Sequence, residues 1–320
     1  SAALNAYIER SAPDQYFHIS GDGVWADDLH LVRHFWQVDE TSLCEALTQK
    51  LQLQNYEPQS QSWANEFNVL EQLVWQTQEA FLDHAGLYDG RAVSVVLAGL
   101  PSDTAVLAGN SLPIRHIDLY DRPSTTRRPV YGNRGASGID GNVSTAIGLA
   151  TGRQLPLVAL LGDITFYHDM NGLIALREPG IPPVAFVVLN NDGGGIFRRL
   201  PISAAEPPFT QLFLTPHGLT FEHAAALYGL EYRRLQGADE LQMLVLLQDE
   251  VGKMTTDSNR SLLIEIATDG ANDLEQHRML LKQVALAVSQ RGNGVSEPES
   301  DNALPLLDTL FVGINKGETQ

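Results

Sequence analysis

Four short apolar runs punctuate this sequence: Thr104 to Ala108, Leu155 to Leu161, Val184 to Leu189 and Leu262 to Ile266. Each is too short for a helix, and helix-period stretches lie between them at about 139–151, 168–178, 220–229 and 238–255. A strand that is apolar throughout must be buried on both faces. Alternation of such strands with helices therefore predicts an α/β fold, a doubly wound parallel sheet covered on both sides. Ligands of these sheets bind beyond the carboxyl ends of the strands, where the strand order reverses. The residues that follow each run are the place to look for chemistry.

The flanking sequence has a different character. Tyr16 to Ser20 reads as a strand closed by Gly21-Asp22-Gly23, and Ser42 with Glu45 has capping-box spacing ahead of a Leu43, Leu47, Leu51 stripe. One strand and one helix cannot enclose a core, so this segment is expected to be the end of a larger domain. Gln52 to Ser60 is polar, contains Pro58 and reads as a linker. Trp63, Phe67, Leu70, Val74 and Phe81 then predict an amphipathic helix that Gly86 can end. Beyond residue 290 the sequence turns Gly-, Ser- and Glu-rich before a brief apolar patch at Leu304 to Val312. The expected organisation is thus residues 1–60 as a domain end plus linker, 61–290 as the main domain, and 291–320 as a tail of unassigned role. A length of 320 residues agrees with more than one domain.

Charge and composition narrow the class. With 39 acidic against 21 basic residues the net charge is −18, which argues against a nucleic-acid partner. No run approaches the roughly 18 apolar residues of a membrane span. The single cysteine, Cys44, excludes an internal disulfide, and a reducing, cytoplasmic setting is expected.

Four segments at or near strand ends carry the unusual residues: Gly109-Asn110-Ser111 with Arg115, Gly132 to Gly141, Gly162-Asp163, and Asn190 to Gly195. Asp163 and Asn190-Asn191 end consecutive runs, and adjacent strands lie about 4.8 Å apart, so these termini can share one site. A carboxylate, an amide oxygen and a glycine carbonyl are hard ligands that suit Mg²⁺ or Ca²⁺ rather than zinc. Glycines at 193–195 allow close approach of backbone to a phosphate. Either motif alone reads as a plain turn, because Asn, Asp and Gly are turn residues. The ordered pair favours a site. Arg127-Arg128 and Arg198-Arg199 read as solvated surface charges, and His116, His168 and His223 show no ligand spacing.

Gly162-Asp163, 26 intervening residues and Asn190-Asn191 resemble the cofactor signature of the thiamine diphosphate-dependent enzymes. Gly is usual after that Asp, and Ile164 stands here instead, unlike the pyruvate decarboxylase-like and acetolactate synthase-like members. The strings GNSLPIR at 109–115, GNRGASGIDG at 132–141 and NNDGGGIF at 190–197 are similar to the MenD branch, whose members serve menaquinone or phylloquinone biosynthesis. FEHAAALYGLEY at 221–232 and ATDGA at 267–271 extend the likeness.

The resemblance implies a defined chemistry. Thiamine diphosphate and Mg²⁺ (or Mn²⁺) would be the cofactors, with Asp163, Asn191 and the Gly193 carbonyl as metal ligands. Decarboxylation of 2-oxoglutarate would be followed by addition of the succinyl carbanion to isochorismate. Ser111, Arg115 and Arg134 match substrate contacts, and Ile196, Phe197 and Leu200 match apolar ones. Asn110, Gly138, Ile139, Asp140, Gly162 and Asp163 match cofactor-lining positions, with Ile139 as the residue over which the cofactor bends. Both substrates carry two carboxylates, a physical reason for guanidinium groups in an acidic chain. The family's activating glutamate belongs to a pyrimidine-binding domain that nothing here resembles. Residues 1–60 resemble the end of the family's middle domain and 61–290 its diphosphate domain, so the chain is expected to be the C-terminal portion, inactive alone, and part of a homo-oligomer. Other readings are a different thiamine diphosphate-dependent 2-oxoacid decarboxylase, a non-catalytic module that keeps the fold, and an unrelated Mg²⁺-dependent phosphate binder. The last lacks a GxxxxGK[ST] loop.

Overall fold

A computed structural model describes residues 2–53, 62–123, 128–236, 249, 253 and 261–291. The chain divides into two compact units, Ser1–Leu73 with Val288–Gln320, and Val74–Ala287. The predicted helix at 238–255, most of the linker and the tail lie outside the described residues.

The smaller unit holds α1 (Ala2–Ser11), β1 (Phe17–Ile19), β2 (His34–Trp36), α2 (Glu40–Leu53) and the start of α3 (Ser62–His84). The predicted strand is β1, and it pairs in parallel with β2, which the sequence reading did not mark. Asp39, not Ser42, caps α2: its carboxylate accepts the Ser42 backbone N–H at 2.8 Å. An Asp one position before the helix does this as well as a serine can, so the capping-box spacing was coincidental. The leucine stripe has little to cover, since α2 buries no residue.

The larger unit is the expected doubly wound sheet. Its strands are β3 (Ala105–Ala108), β4 (Val130–Gly132), β5 (Leu157–Gly162), β6 (Val184–Asn190), β7 (Glu231–Leu235) and β8 (Leu262–Ala267). All pairings are parallel, in the order β4-β3-β5-β6-β8-β7. The four apolar runs are the four central strands. The edge strands β4 and β7 lack a continuous buried run, since β4 buries no residue and β7 only Leu235, which is why apolar runs did not show them.

Alternate residues of each central strand face opposite helix layers. Val106, Val158, Leu160 and Val187 pack with α4 (Asp89–Gly99) and α5 (Leu112–Tyr120). Leu107, Ala159, Leu161 and Phe186 pack with α6 (Asn142–Arg153), α7 (Asp163–Asp169) and α8 (Glu222–Tyr228). The later turns of α3, with α5 and α9 (Gly270–Arg291), close a third cluster around Tyr88, Tyr120 and Leu280. The helix expected at 168–178 begins earlier, as α7, and continues as a 3-10 segment over Met170–Arg177. The strand order reverses between β3 and β5: the chain steps outward from β3 to β4, returns past β3 to β5, and then runs the other way. The crevice is expected beyond Ala108 and Gly162.

Candidate functional site

Asp163 is the first residue after β5 and begins α7. It is buried, and its Oδ2 accepts the Gly193 backbone N–H at 2.8 Å. Its Oδ1 accepts the Ile164 N–H at 2.7 Å. Burial pushes this carboxyl above the usual carboxylate range, against the pull of those two backbone hydrogen bonds. The strand ends of β5 and β6 therefore meet, as the pairing of Gly162 with Leu189 requires.

Beyond β6 the two asparagines do different work. Asn190 is structural: its amide nitrogen donates to buried Glu265 at 2.9 Å and to the Leu219 carbonyl at 3.0 Å. Glu265 also accepts the Phe221 N–H and the Tyr232 hydroxyl, so it ties the strand end to the layer behind it. Asn191 is different. Its Nδ2 donates to Asp89 Oδ2 at 2.9 Å, while its Oδ1 is buried without a hydrogen-bond partner among the described residues. A buried amide oxygen without a donor calls for a partner, and a cation is one that suits it.

The glycines after Asn191 let the loop approach this closely. Gly193 has φ +132°, and a Cβ there would come within 2.0 Å of the Leu214 carbonyl oxygen. A Cβ on Gly195 would lie 2.9 Å from the Asn191 amide nitrogen. The Gly193 carbonyl accepts the Gly195 N–H at 3.0 Å and keeps its second lone pair. Asp163, Asn191 and Gly193 thus offer oxygens only, a donor set that fits Mg²⁺ or Mn²⁺.

His217 was not marked in the sequence. Its Nδ1 accepts the Leu219 N–H at 2.9 Å, which places the proton on Nε2, and Nε2 donates to Asp163 Oδ2 at 3.2 Å. It lies 54 positions from Asp163 on a loop held by Asp192, so no local spacing signals it.

On the other side of the reversal, beyond β3 and β4, the groups change sign. Buried Asn110 organises the Gly132-to-Gly141 loop: its Nδ2 donates to the carbonyls of Asn133 at 3.0 Å and Gly138 at 2.5 Å. Its Oδ1 accepts from Arg134 at 2.7 Å. Ser111 stands at φ 73°, ψ −129°, a strained backbone at a ligand-facing strand end. Its carbonyl accepts from Arg115 at 2.6 Å. Burial, then the neighbouring Arg134, then Arg199 lower the Arg115 pKa. Among the described residues neither Arg115 nor Arg134 has an acidic partner in an ion pair.

The remaining sequence-selected residues fall on these loops. A Cβ at Gly138 would lie 2.2 Å from Asp140 Oδ1 as that side chain stands, and Ile139 beside it is half-buried. Ile196, Phe197 and Leu200 are half-buried on the short helical turn that follows the glycines, outside the core clusters, with Phe197 edge-on to Phe213. Two arginine expectations need correction. The Arg199 side chain is only 7% exposed and pairs with Asp273 at 3.1 Å, and Arg128 bonds Asp121 at 2.5 Å and the Leu97 carbonyl at 2.8 Å. Arg127 lies outside the described residues. His116 also belongs to this buried group, 3.5 Å from Asp273. Asp89, His116 and Asp273 bring ligand-type atoms within 4.8 Å of one another, but the Arg199 guanidinium already supplies the cation there.

A family profile for the thiamine pyrophosphate enzyme C-terminal TPP binding domain matches residues 118–264, which include both strand ends just described. The larger unit has the fold of a thiamine pyrophosphate enzyme C-terminal domain. Curated relatives agree. The chain is 42% identical over 290 residues to the 2-succinyl-5-enolpyruvyl-6-hydroxy-3-cyclohexene-1-carboxylate synthase of Roseiflexus sp. (strain RS-1), covering 90% of this chain and 47% of that protein. It is 44% identical over 280 residues to the synthase of the same name from Roseiflexus castenholzii, covering 87% and 46%. The like-named protein of Salinibacter ruber is 34% identical, covering 91% and 47%. The chain thus spans about half the length of the curated relatives it matches. No helix among the described residues is long and apolar enough to cross a membrane.

Proposed function

We propose that this chain is the C-terminal part of a MenD-type, thiamine diphosphate-dependent carbon–carbon bond-forming transferase. Its substrates are 2-oxoglutarate, which loses carbon dioxide, and isochorismate, which receives the remaining four-carbon unit. The observation that carries the reading is the orphaned Asn191 oxygen on the loop whose Gly193 N–H is held by buried Asp163, in a region that matches the family's profile. Asp163, Asn191 and the Gly193 carbonyl hold Mg²⁺ (or Mn²⁺), and the divalent ion anchors the diphosphate. Bound there, the cofactor supplies the carbanion chemistry.

The protein's own residues bind and orient. Gly162, Asn110, Gly138, Ile139 and Asp140 shape the cofactor's bed. Arg115 and Arg134 pair with substrate carboxylates, which are stronger partners than the neutral carbonyl and amide oxygens they contact in the structure. Ser111 adds a hydroxyl, and Ile196, Phe197 and Leu200 give the carbon skeletons an apolar wall that keeps water away. Residues 1–60 are the end of a middle domain plus linker, 61–290 the diphosphate domain, and 291–320 a tail. The proton-moving glutamate is expected from a pyrimidine-binding domain, which no segment of this chain resembles; separately, the enzyme is taken to work as a cytoplasmic homo-oligomer.

Titration calorimetry of thiamine diphosphate into the chain, with and without Mg²⁺, tests this. Metal-dependent binding is expected, and Asp163→Ala should abolish it. Binding that ignores both the metal and the substitution overturns the cofactor site. Steady formation of the succinylated product by this chain alone would overturn its dependence on the missing domain.

A further inference from the structure

The two ends of an amide have nearly the same shape, so Asn191 could offer a cation either its oxygen or its nitrogen. Whichever end is held elsewhere decides. Here the nitrogen end is held by Asp89, the first residue of α4 and 102 positions earlier in the chain, at 2.9 Å. Asp89 is itself fixed. It is buried, and its other oxygen accepts the Thr268 hydroxyl. Thr268 follows β8, and its backbone N–H donates to the Asn190 carbonyl at 2.9 Å. The four residues close a ring: Asn190 to Thr268, Thr268 to Asp89, Asp89 to Asn191, and Asn191 back to Asn190 through the chain. Such a ring leaves the Asn191 amide one orientation, with its oxygen turned to the side where no donor among the described residues reaches it.

We propose that Asp89 is a positioning residue for the cofactor's metal ion, holding the Asn191 amide so that its oxygen, and never its nitrogen, is the ligand atom. The inference rests on the cation reading of Asp163, Asn191 and Gly193 given above. It assigns a role to a side chain outside every strand-end motif. What the role requires is an acceptor at the Asp89 position, not a charge. An asparagine there can accept from Asn191 with its oxygen and turn its own amide nitrogen to the Thr268 hydroxyl, whereas an alanine can do neither.

The test uses the full chain with thiamine diphosphate and Mn²⁺, reading free Mn²⁺ by electron paramagnetic resonance. D89A should weaken Mn²⁺ binding by roughly 10–100-fold, the usual cost of losing a group that orients a metal ligand. D89N should bind within about threefold of the unsubstituted chain, because the acceptor is retained. D89A binding as tightly as the unsubstituted chain overturns the proposal and leaves the cation site standing. Equal weakening by D89A and D89N overturns it too, since charge or packing would then matter rather than the acceptor. An unsubstituted chain that binds no Mn²⁺ overturns the cation site and this inference with it. Should D89A fail to fold, hydrogen exchange of the Asn191 side-chain amide decides, with its NMR signal assigned by its loss in N191D. Protection in both the unsubstituted chain and D89N supports the role, and exchange at the rate of an exposed amide overturns it.

Discussion

The two halves of the strand-end crevice handle charge in opposite ways. Beyond β5 and β6 the functional atoms are oxygens, drawn in by backbone amides and packed glycines: Asp163 is 2% exposed and Gly193 is buried. Beyond β3 and β4 they are guanidinium nitrogens on side chains that reach outward, with Arg134 exposed and Arg115 half-buried. The reversal of strand order between β3 and β5 separates the two. On the proposed reading, the contrast follows from what each half would bind. A small hard cation needs several oxygens at fixed short distances, which only a rigid, buried frame provides. A carboxylate brings its own planar acceptor pair, and an arginine can meet it from a long stem. On the same reading the sheet would sort its ligands by sign along the carboxyl ends of its strands, although the chain as a whole carries a net −18.

The largest effect should come from breaking the rigid half. Gly193→Ala places a Cβ 2.0 Å from the Leu214 carbonyl at a φ that side chains rarely adopt. A loss of about 3 kcal/mol or more in urea unfolding is expected, from strain plus clash. An alanine variant as stable as the unsubstituted chain would show that the loop is not the rigid frame described here.

A crossed pair of substitutions tests the sorting itself. Asp163→Ala should remove metal-dependent thiamine diphosphate binding and leave the affinity for a dicarboxylate such as succinate unchanged. Arg134→Ala should do the reverse, costing on the order of 1.5–3 kcal/mol in dicarboxylate binding, the worth of a charged hydrogen bond. Calorimetry with each ligand gives all four numbers. If either substitution moves both affinities equally, the crevice is one electrostatic unit and the contrast fails.

Much of this was legible in the sequence, for physical reasons that differ by residue. The central strands were visible because burial on both faces makes them apolar throughout, as in Leu157 to Leu161. β4 and β7 were not, because edge strands such as Glu231–Leu235 keep polar residues on their open side. Asp163 and Asn191 were found as punctuation at strand ends. Asp89, His217 and Arg199 were missed because each acts through tertiary contacts 102, 54 and 74 positions away, to which no local period responds. The doubled arginines looked like surface charge, and only the fold shows that Arg199 lies against Asp273.

That buried pair also sets the smallest predicted effect, beneath the guanidinium half. His277, on α9, is buried beside Arg199, Asp273 and His116. Burial first, and Arg199 second, depress its pKa from 6.5 to about 3, so the folded protein keeps it neutral where the unfolded chain would take up a proton. The unfolded state then binds more protons across that window. The contribution to stability is complete above pH 6.5 and is lost as the pH falls toward about 3. At pH 6 the loss from this one group should be about 1 kcal/mol, steepening below that pH to at most about 1.4 kcal/mol per unit. His277→Gln removes the titrating ring, so the slope of unfolding free energy against pH between 6 and 5 should fall by up to one proton, as read from urea midpoints. An unchanged slope would mean that His277 takes up its proton in the folded state as readily as in the unfolded one. The ring would then be open to water, and the Arg199–Asp273 pair beside it would be less sheltered than its burial indicates.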